Sequence, residues 1–114
     1  SGDSTNDFAL IRLDRAVRGR RPVVLRSGPI AQTARLIMIG HPLGLPAKIS
    51  GPAKIHRQQA NGFFVEIDSY TGSSGSPLFN LATRQLEGLM SRGEDDFQFV
   101  NGCFESRVCK HMRC

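Results

Sequence analysis

The sequence predicts an all-β fold of short antiparallel strands, arranged as a barrel or a sandwich. Three observations carry this expectation. The apolar runs are short and bounded by Gly, Pro or Asn, which is how strands and their turns read. No long stretch repeats its apolar residues with a helical period, so no amphipathic helix of any length is expected. Gly and Pro, 12 and 6 of the 114 residues, recur between the runs and punctuate them.

The elements follow in order. Residues 8–13 form an apolar run and read as a strand, entered from the small polar residues 1–6. Residues 14–22 mix charge, Gly and Pro and read as a linker. Further strands are expected at 23–25, 35–39, 47–55, 63–68, 77–80, 86–91 and 97–100. The tail, 105–113, has room for one short helix. There is no internal repeat and no low-complexity tract. The opening through a polar stretch straight into a strand reads as a chain that begins partway through a domain.

Composition bounds the function. The chain is long enough for about one domain with a modest core. No apolar run approaches the roughly 20 residues needed to cross a bilayer, so no membrane partner is expected. The net charge is +5, with much of the excess in Arg12, Arg15, Arg18, Arg20 and Arg21. A basic cluster can bind nucleic acid. Here no aromatic residues are interleaved, and a solvated linker is the preferred reading. Glu94-Asp95-Asp96 forms a local acidic counter-patch in an expected loop. Cys103, Cys109 and Cys114 lack the paired short spacings of a zinc site, although His111 lies between the last two. A short-loop disulfide in an exported protein is expected, with one thiol left over. The expected localisation is therefore secreted or periplasmic, with no metal and no cofactor.

The most informative stretch is Asp68-Ser69-Tyr70-Thr71-Gly72-Ser73-Ser74-Gly75-Ser76-Pro77. An apolar strand runs into a tight turn of small residues. Most Gly/Ser-rich turns are plain connections. A Ser at such a turn can also present its hydroxyl outward while flanking N–H groups converge on one small space, as an oxyanion hole requires.

Three motifs resolve that choice. Gly72-Ser73-Ser74-Gly75-Ser76-Pro77 resembles the Gly-Asp-Ser-Gly-Gly-Pro signature of the trypsin-like (chymotrypsin-fold) serine peptidases. Bacterial members, glutamyl endopeptidases among them, commonly carry it as Gly-Asn-Ser-Gly-Ser-Pro. Asp7-Phe8-Ala9-Leu10-Ile11 resembles the same family's Asp-Ile-Ala-Leu-Leu. Ile39-Gly40-His41-Pro42-Leu43-Gly44 resembles the Gly-Tyr/His-Pro-x-Gly loop of bacterial members. The resemblance covers most of the chain, from about Asp7 to about Cys103.

What the resemblance implies is specific. The family fold is a pair of six-stranded antiparallel β-barrels with the active site between them. Residues 1–13 would be the last strand of the first barrel, 14–33 the inter-barrel linker, and 34–114 the second barrel with its tail. Ser74 would be the nucleophile, Asp7 the orienting carboxylate, and the N–H groups of Gly72 and Ser74 the oxyanion donors. Asp68, six residues before the nucleophile, would sit at the floor of the specificity pocket and attract a substrate Arg or Lys. Ser69 would line that pocket, and Ser91-Arg92-Gly93 would match the strand along which the substrate lies. An inward Arg92 would neutralise Asp68 or favour acidic substrates, whereas Met90 stands where glutamyl endopeptidases place a His. Ser73 replaces the usual Asp or Asn, so the buried salt bridge that matures animal zymogens cannot form.

The general-base His is the missing part. A serine hydroxyl needs an adjacent base, which in this family lies upstream of the Asp. His41, His56 and His111 all follow Asp7. His41 reads as a turn residue, His56 as a surface residue, and His111 falls in the tail. The expected activity is that of a serine endopeptidase fragment, with a peptide or protein substrate and the missing first barrel as partners. The alternative is a catalytically inactive homologue that binds protein.

Overall fold

The computed structural model describes residues 7–107. Seven strands and one short 3-10 turn are present: β1 (Arg35–Gly40), η1 (Pro42–Gly44), β2 (Lys48–Gln59), β3 (Gly62–Val65), β4 (Pro77–Asn80), β5 (Leu86–Leu89), β6 (Phe97–Val100) and β7 (Cys103–Ser106). The all-β expectation holds among the described residues.

Five strands join in the order β3-β2-β1-β4-β5, with every pair antiparallel, and the sheet curls into half a barrel. The long strand β2 makes this curvature. Its first part pairs with β1, from Arg35↔Lys54 to Gly40↔Lys48, and its last part pairs with β3, from Ile55↔Val65 to Gln59↔Gly62. Register shifts interrupt both ladders, and such irregularities bend a strand.

The core lies inside the curl. Leu36 and Met38 alternate inward along β1, and Ile30, Ile55 and Leu78 meet them. Phe63, Val65, Ile67 and Met90 close over this cluster. Gln58 fastens the approach to β1 by donating to the carbonyl of Ile30 at 3.2 Å and to Gln32 Oε1 at 2.9 Å. At the β4–β5 turn, Asn80 Oδ1 accepts from the N–H groups of Ala82 and Thr83, a local closure suited to Asn.

Several expectations are corrected. Residues 8–13 are not a strand. Residues 7–25 are exposed throughout, and 7–23 make no backbone hydrogen bond to any described residue. A strand needs a neighbour to receive its ladder, and no described segment lies alongside. Leu25, expected within a strand at 23–25, makes an isolated parallel bridge to Leu86. That contact is pinned by Arg26 N–H to the Leu86 carbonyl at 3.1 Å and by an ion pair from Arg26 Nε to buried Glu87 at 2.6 Å. The strand expected at 47–55 runs on to Gln59, while those expected at 63–68 and 86–91 end at Val65 and Leu89.

The closed six-stranded barrel is not formed among the described residues. β6 and β7 pair with each other in a separate hairpin. The polar stretch Ser91-Arg92-Gly93-Glu94-Asp95-Asp96 carries the chain off the edge of β5, and its last residue, Asp96, already accepts from Arg107 N–H at 2.7 Å at the open end of the hairpin. The hairpin turns at Asn101-Gly102, both with positive φ (51° and 85°), as a primed two-residue turn requires. Glu105 and Ser106, expected at the start of a tail helix, lie in β7. Arg107 is not helical, and residues 108–114, with Cys109, His111 and Cys114, fall outside the described residues. Cys103 is exposed on β7 and makes no disulfide among the described residues.

Candidate active site

The turn after β3 is defined by what its backbone donors do. Thr71 N–H donates to Asp96 Oδ2, Ser73 N–H to the Tyr70 carbonyl at 3.0 Å, Gly75 N–H to the Met90 carbonyl at 2.7 Å, and Ser76 N–H to the Ser73 carbonyl at 3.0 Å. Between them, the N–H groups of Gly72 and Ser74 have no partner among the described residues. Backbone donors in a folded chain are nearly always paired or wet. The two that stand open are those that an oxyanion hole at Ser74 calls for.

The side chains divide in the same way. Ser74 is exposed, while Ser73 and Ser76, on either side of the Ser74-Gly75 pair, are buried. Ser73 Oγ is buried without a hydrogen-bond partner. Gly72 has φ +95°, a region that side chains rarely adopt. A Cβ there would meet Leu43 N at 3.2 Å and the His41 carbonyl at 3.3 Å. The Gly40–His41–Pro42 motif and the Ser74 motif, separate in sequence, are thus packed together.

A cleft of about 360 Å³ opens beside this turn, with Ser69, Gly72 and Ser74 on one wall and Gly93, Glu94 and Asp96 on the other. Asp96 bridges the walls, since its Oδ2 also accepts from Thr71 Oγ1 at 2.8 Å. In the lining of the cleft, the Tyr70 ring packs on Phe97 at 5.9 Å, and its hydroxyl lies 3.2 Å from Ser106 Oγ. The separate hairpin is therefore tied to the site rather than to the sheet. A larger hollow of about 550 Å³ is formed by residues 13–18 curling on themselves and holds no residue of this site.

The sequence-expected residues are not all brought together. Ser69, Gly72, Ser74 and Gly93 line the cleft, whereas Asp68, Ser91 and Arg92 are not among its lining residues. Asp7 is exposed and makes no hydrogen bond or ion pair to a described residue. His41 stands at the start of η1, its Nδ1–H donating to the Leu45 carbonyl at 3.0 Å. His56 is exposed on β2. Among the described residues no His, Cys, Asp and Glu cluster is arranged to hold a metal ion.

Two residues of the site escape a reading of the sequence. Asp96 appears there as part of an acidic loop patch, and nothing local places it on Thr71. Gly40 appears as half of a turn motif, yet it is the buried inward end of β1 that receives Ser76.

A search of protein families matches residues 1–89 to the trypsin-like peptidase domain. No curated protein and no solved structure gave a match. With a curled antiparallel sheet, an exposed Ser between glycines and a family match over most of its length, this chain belongs to the trypsin-like peptidase domain family.

Proposed function

We propose that this chain is part of a serine endopeptidase that cleaves peptide bonds through an acyl-enzyme. Ser74 Oγ adds to the substrate carbonyl carbon and passes its proton to a His. The negative oxygen of the tetrahedral adduct takes hydrogen bonds from the N–H groups of Gly72 and Ser74. Collapse expels the amine, which leaves with the proton from the His, and water then releases the acyl group by the same route. The observation that carries this reading is the pair of unpartnered donors at an exposed hydroxyl within residues 71–76, where the N–H groups of Thr71, Ser73, Gly75 and Ser76 are all satisfied.

In this reading the His belongs to a first barrel that precedes Ser1, and Asp7 orients it there. The exposure of Phe8, Leu10, Ile11 and Leu13, at 72, 96, 77 and 59%, supports a covering partner of that kind, because exposed apolar runs mark interaction surfaces. Asp68 precedes the cleft-lining Ser69, and Glu94, Asp95 and Asp96 line the same cleft. Their field favours a cationic substrate residue, Arg or Lys. Secretion or a periplasmic setting accompanies the disulfide expectation.

A second reading, a non-catalytic protein-binding homologue, is favoured by one observation: no imidazole hydrogen-bonds to Ser74 among the described residues. The deciding experiment treats the full-length protein with a fluorophosphonate probe. Covalent labelling that disappears in Ser74→Ala supports the peptidase. Labelling that persists in Ser74→Ala removes Ser74 from the role, and an unlabelled wild type leaves the binding module.

A further inference from the structure

We infer that the loop at 40–45 is a brace that sets the peptide of Gly72, with Gly40 and His41 as positioning residues for the reaction at Ser74; this rests on the reading of Ser74 as nucleophile.

The loop is closed on itself. Gly44 N–H donates to the His41 carbonyl at 3.2 Å, Leu45 N–H to the Pro42 carbonyl at 2.9 Å, and the His41 ring to the Leu45 carbonyl. Pro42 fixes one backbone angle, and Leu43 holds a left-handed conformation at φ 54°. That unusual angle goes with a bond from Leu43 N–H to the Thr71 carbonyl at 2.7 Å. The Thr71 carbonyl belongs to the same peptide unit as the Gly72 N–H. A bond that fixes one end of a planar peptide fixes the direction of the other. The loop therefore holds the plane of the peptide whose N–H is one of the two open donors.

Gly40 supplies the second half of the brace. It is the last, buried residue of β1. A Cβ there would overlap Ser76 Oγ and stand 3.1 Å from Ser76 Cβ and 3.6 Å from Ser73 Oγ. Ser73 and Ser76 are joined by the Ser76 N–H to Ser73 carbonyl bond that closes the turn around Ser74 and Gly75. Pressure on Ser76 is thus transmitted to the turn that carries the nucleophile. The β1 backbone seats the serine side of the turn, and the loop that leaves β1 seats its glycine side.

The test uses the full-length protein and five variants, with kcat, KM and the rate of fluorophosphonate labelling as readouts. Wild type and Ser74→Ala first establish the nucleophile; failure there defeats the peptidase reading itself. Gly40→Ala is expected to slow labelling and kcat by at least about tenfold, as small displacements of a reacting group do, with KM little changed. Adding Ser76→Gly removes the overlapping atoms and restores labelling to the rate of Ser76→Gly alone. His41→Ala, at an exposed site, lowers kcat by about fivefold through loss of one hydrogen bond, again with KM unchanged. If Gly40→Ala does not fold, a double variant that folds and labels at the Ser76→Gly rate still supports the brace. Wild-type labelling by both Gly40→Ala and His41→Ala overturns it, as does a double variant that folds yet stays slow.

Discussion

Gly72→Ala is the most discriminating change at the site. Its backbone sits at φ +95°, and a left-handed residue with a side chain costs roughly 1–2 kcal/mol. The new Cβ would stand 3.2 Å from Leu43 N and 3.3 Å from the His41 carbonyl. Both are backbone atoms of a closed loop, so the neighbour cannot swing away as a flexible side chain would. The residue relieves the strain by rotating its own peptide, which turns its N–H away. Loss of one oxyanion donor lowers kcat by about 100- to 1000-fold, equivalent to about 2.7–4 kcal/mol in the transition state. The stability cost is smaller, about 1–2 kcal/mol, which lowers Tm by roughly 2–8 °C for a protein the size of two barrels. The assay is kcat and KM on a peptide ester together with a thermal melt of the full-length protein. A folded Gly72→Ala that retains kcat within about twofold would refute the claim that this N–H stabilises the transition state.

Further outcomes are expected elsewhere. Leu36→Ala, at a fully buried position, should cost about 2–5 kcal/mol in urea unfolding; less than about 1 kcal/mol would mean that the curl of the sheet does not centre on β1. Glu87→Ala strips the partner from Arg26 and the acceptor from Asn80 Nδ2. The loss should reach at most the roughly 3–5 kcal/mol of a fully buried pair, because Glu87 is buried while the Arg26 side chain is 26% exposed, and a double-mutant cycle with Arg26→Ala should show a coupling of at least about 0.5 kcal/mol. Asp96→Ala leaves Thr71 N–H and Oγ1 without their acceptor and should raise KM by severalfold as the cleft walls separate; an unchanged KM argues that substrate does not enter between them. Asp68→Asn tested on a peptide library should weaken any preference for Arg or Lys, and an unaltered profile assigns that preference to the acidic wall of the cleft.

The site was legible where a single segment carries its own geometry. The Gly72 to Pro77 turn needs two glycines with positive φ and small residues between them, and all of that is local chemistry. Strands β1, β4 and β6 were legible for the same reason, as short apolar runs with Gly, Pro or Asn at their ends. The Asn101-Gly102 dipeptide is also a local hairpin signal. Read on its own terms it marks β7, whose last two residues, Glu105 and Ser106, have instead the composition of a tail. By contrast, the run at 8–13 has strand composition and no strand, because a ladder bond belongs to two segments and only one is present among the described residues. The expected closure into six strands is not seen among the described residues for a related reason. Whether β6 reaches the edge of β5 depends on the path of the polar residues before it.

The sequence by itself determined an all-β chain of the trypsin-like peptidase family and the turn that exposes Ser74, since strand length, turn chemistry and a six-residue motif are properties of neighbours along the chain. Tertiary structure alone decided that the 40–45 loop holds the Gly72 peptide, that Asp96 spans the cleft, and that Glu87 is buried against Arg26. Those are contacts between residues far apart in sequence. Their existence depends on how a bent β2 curls the sheet, and no local pattern records that.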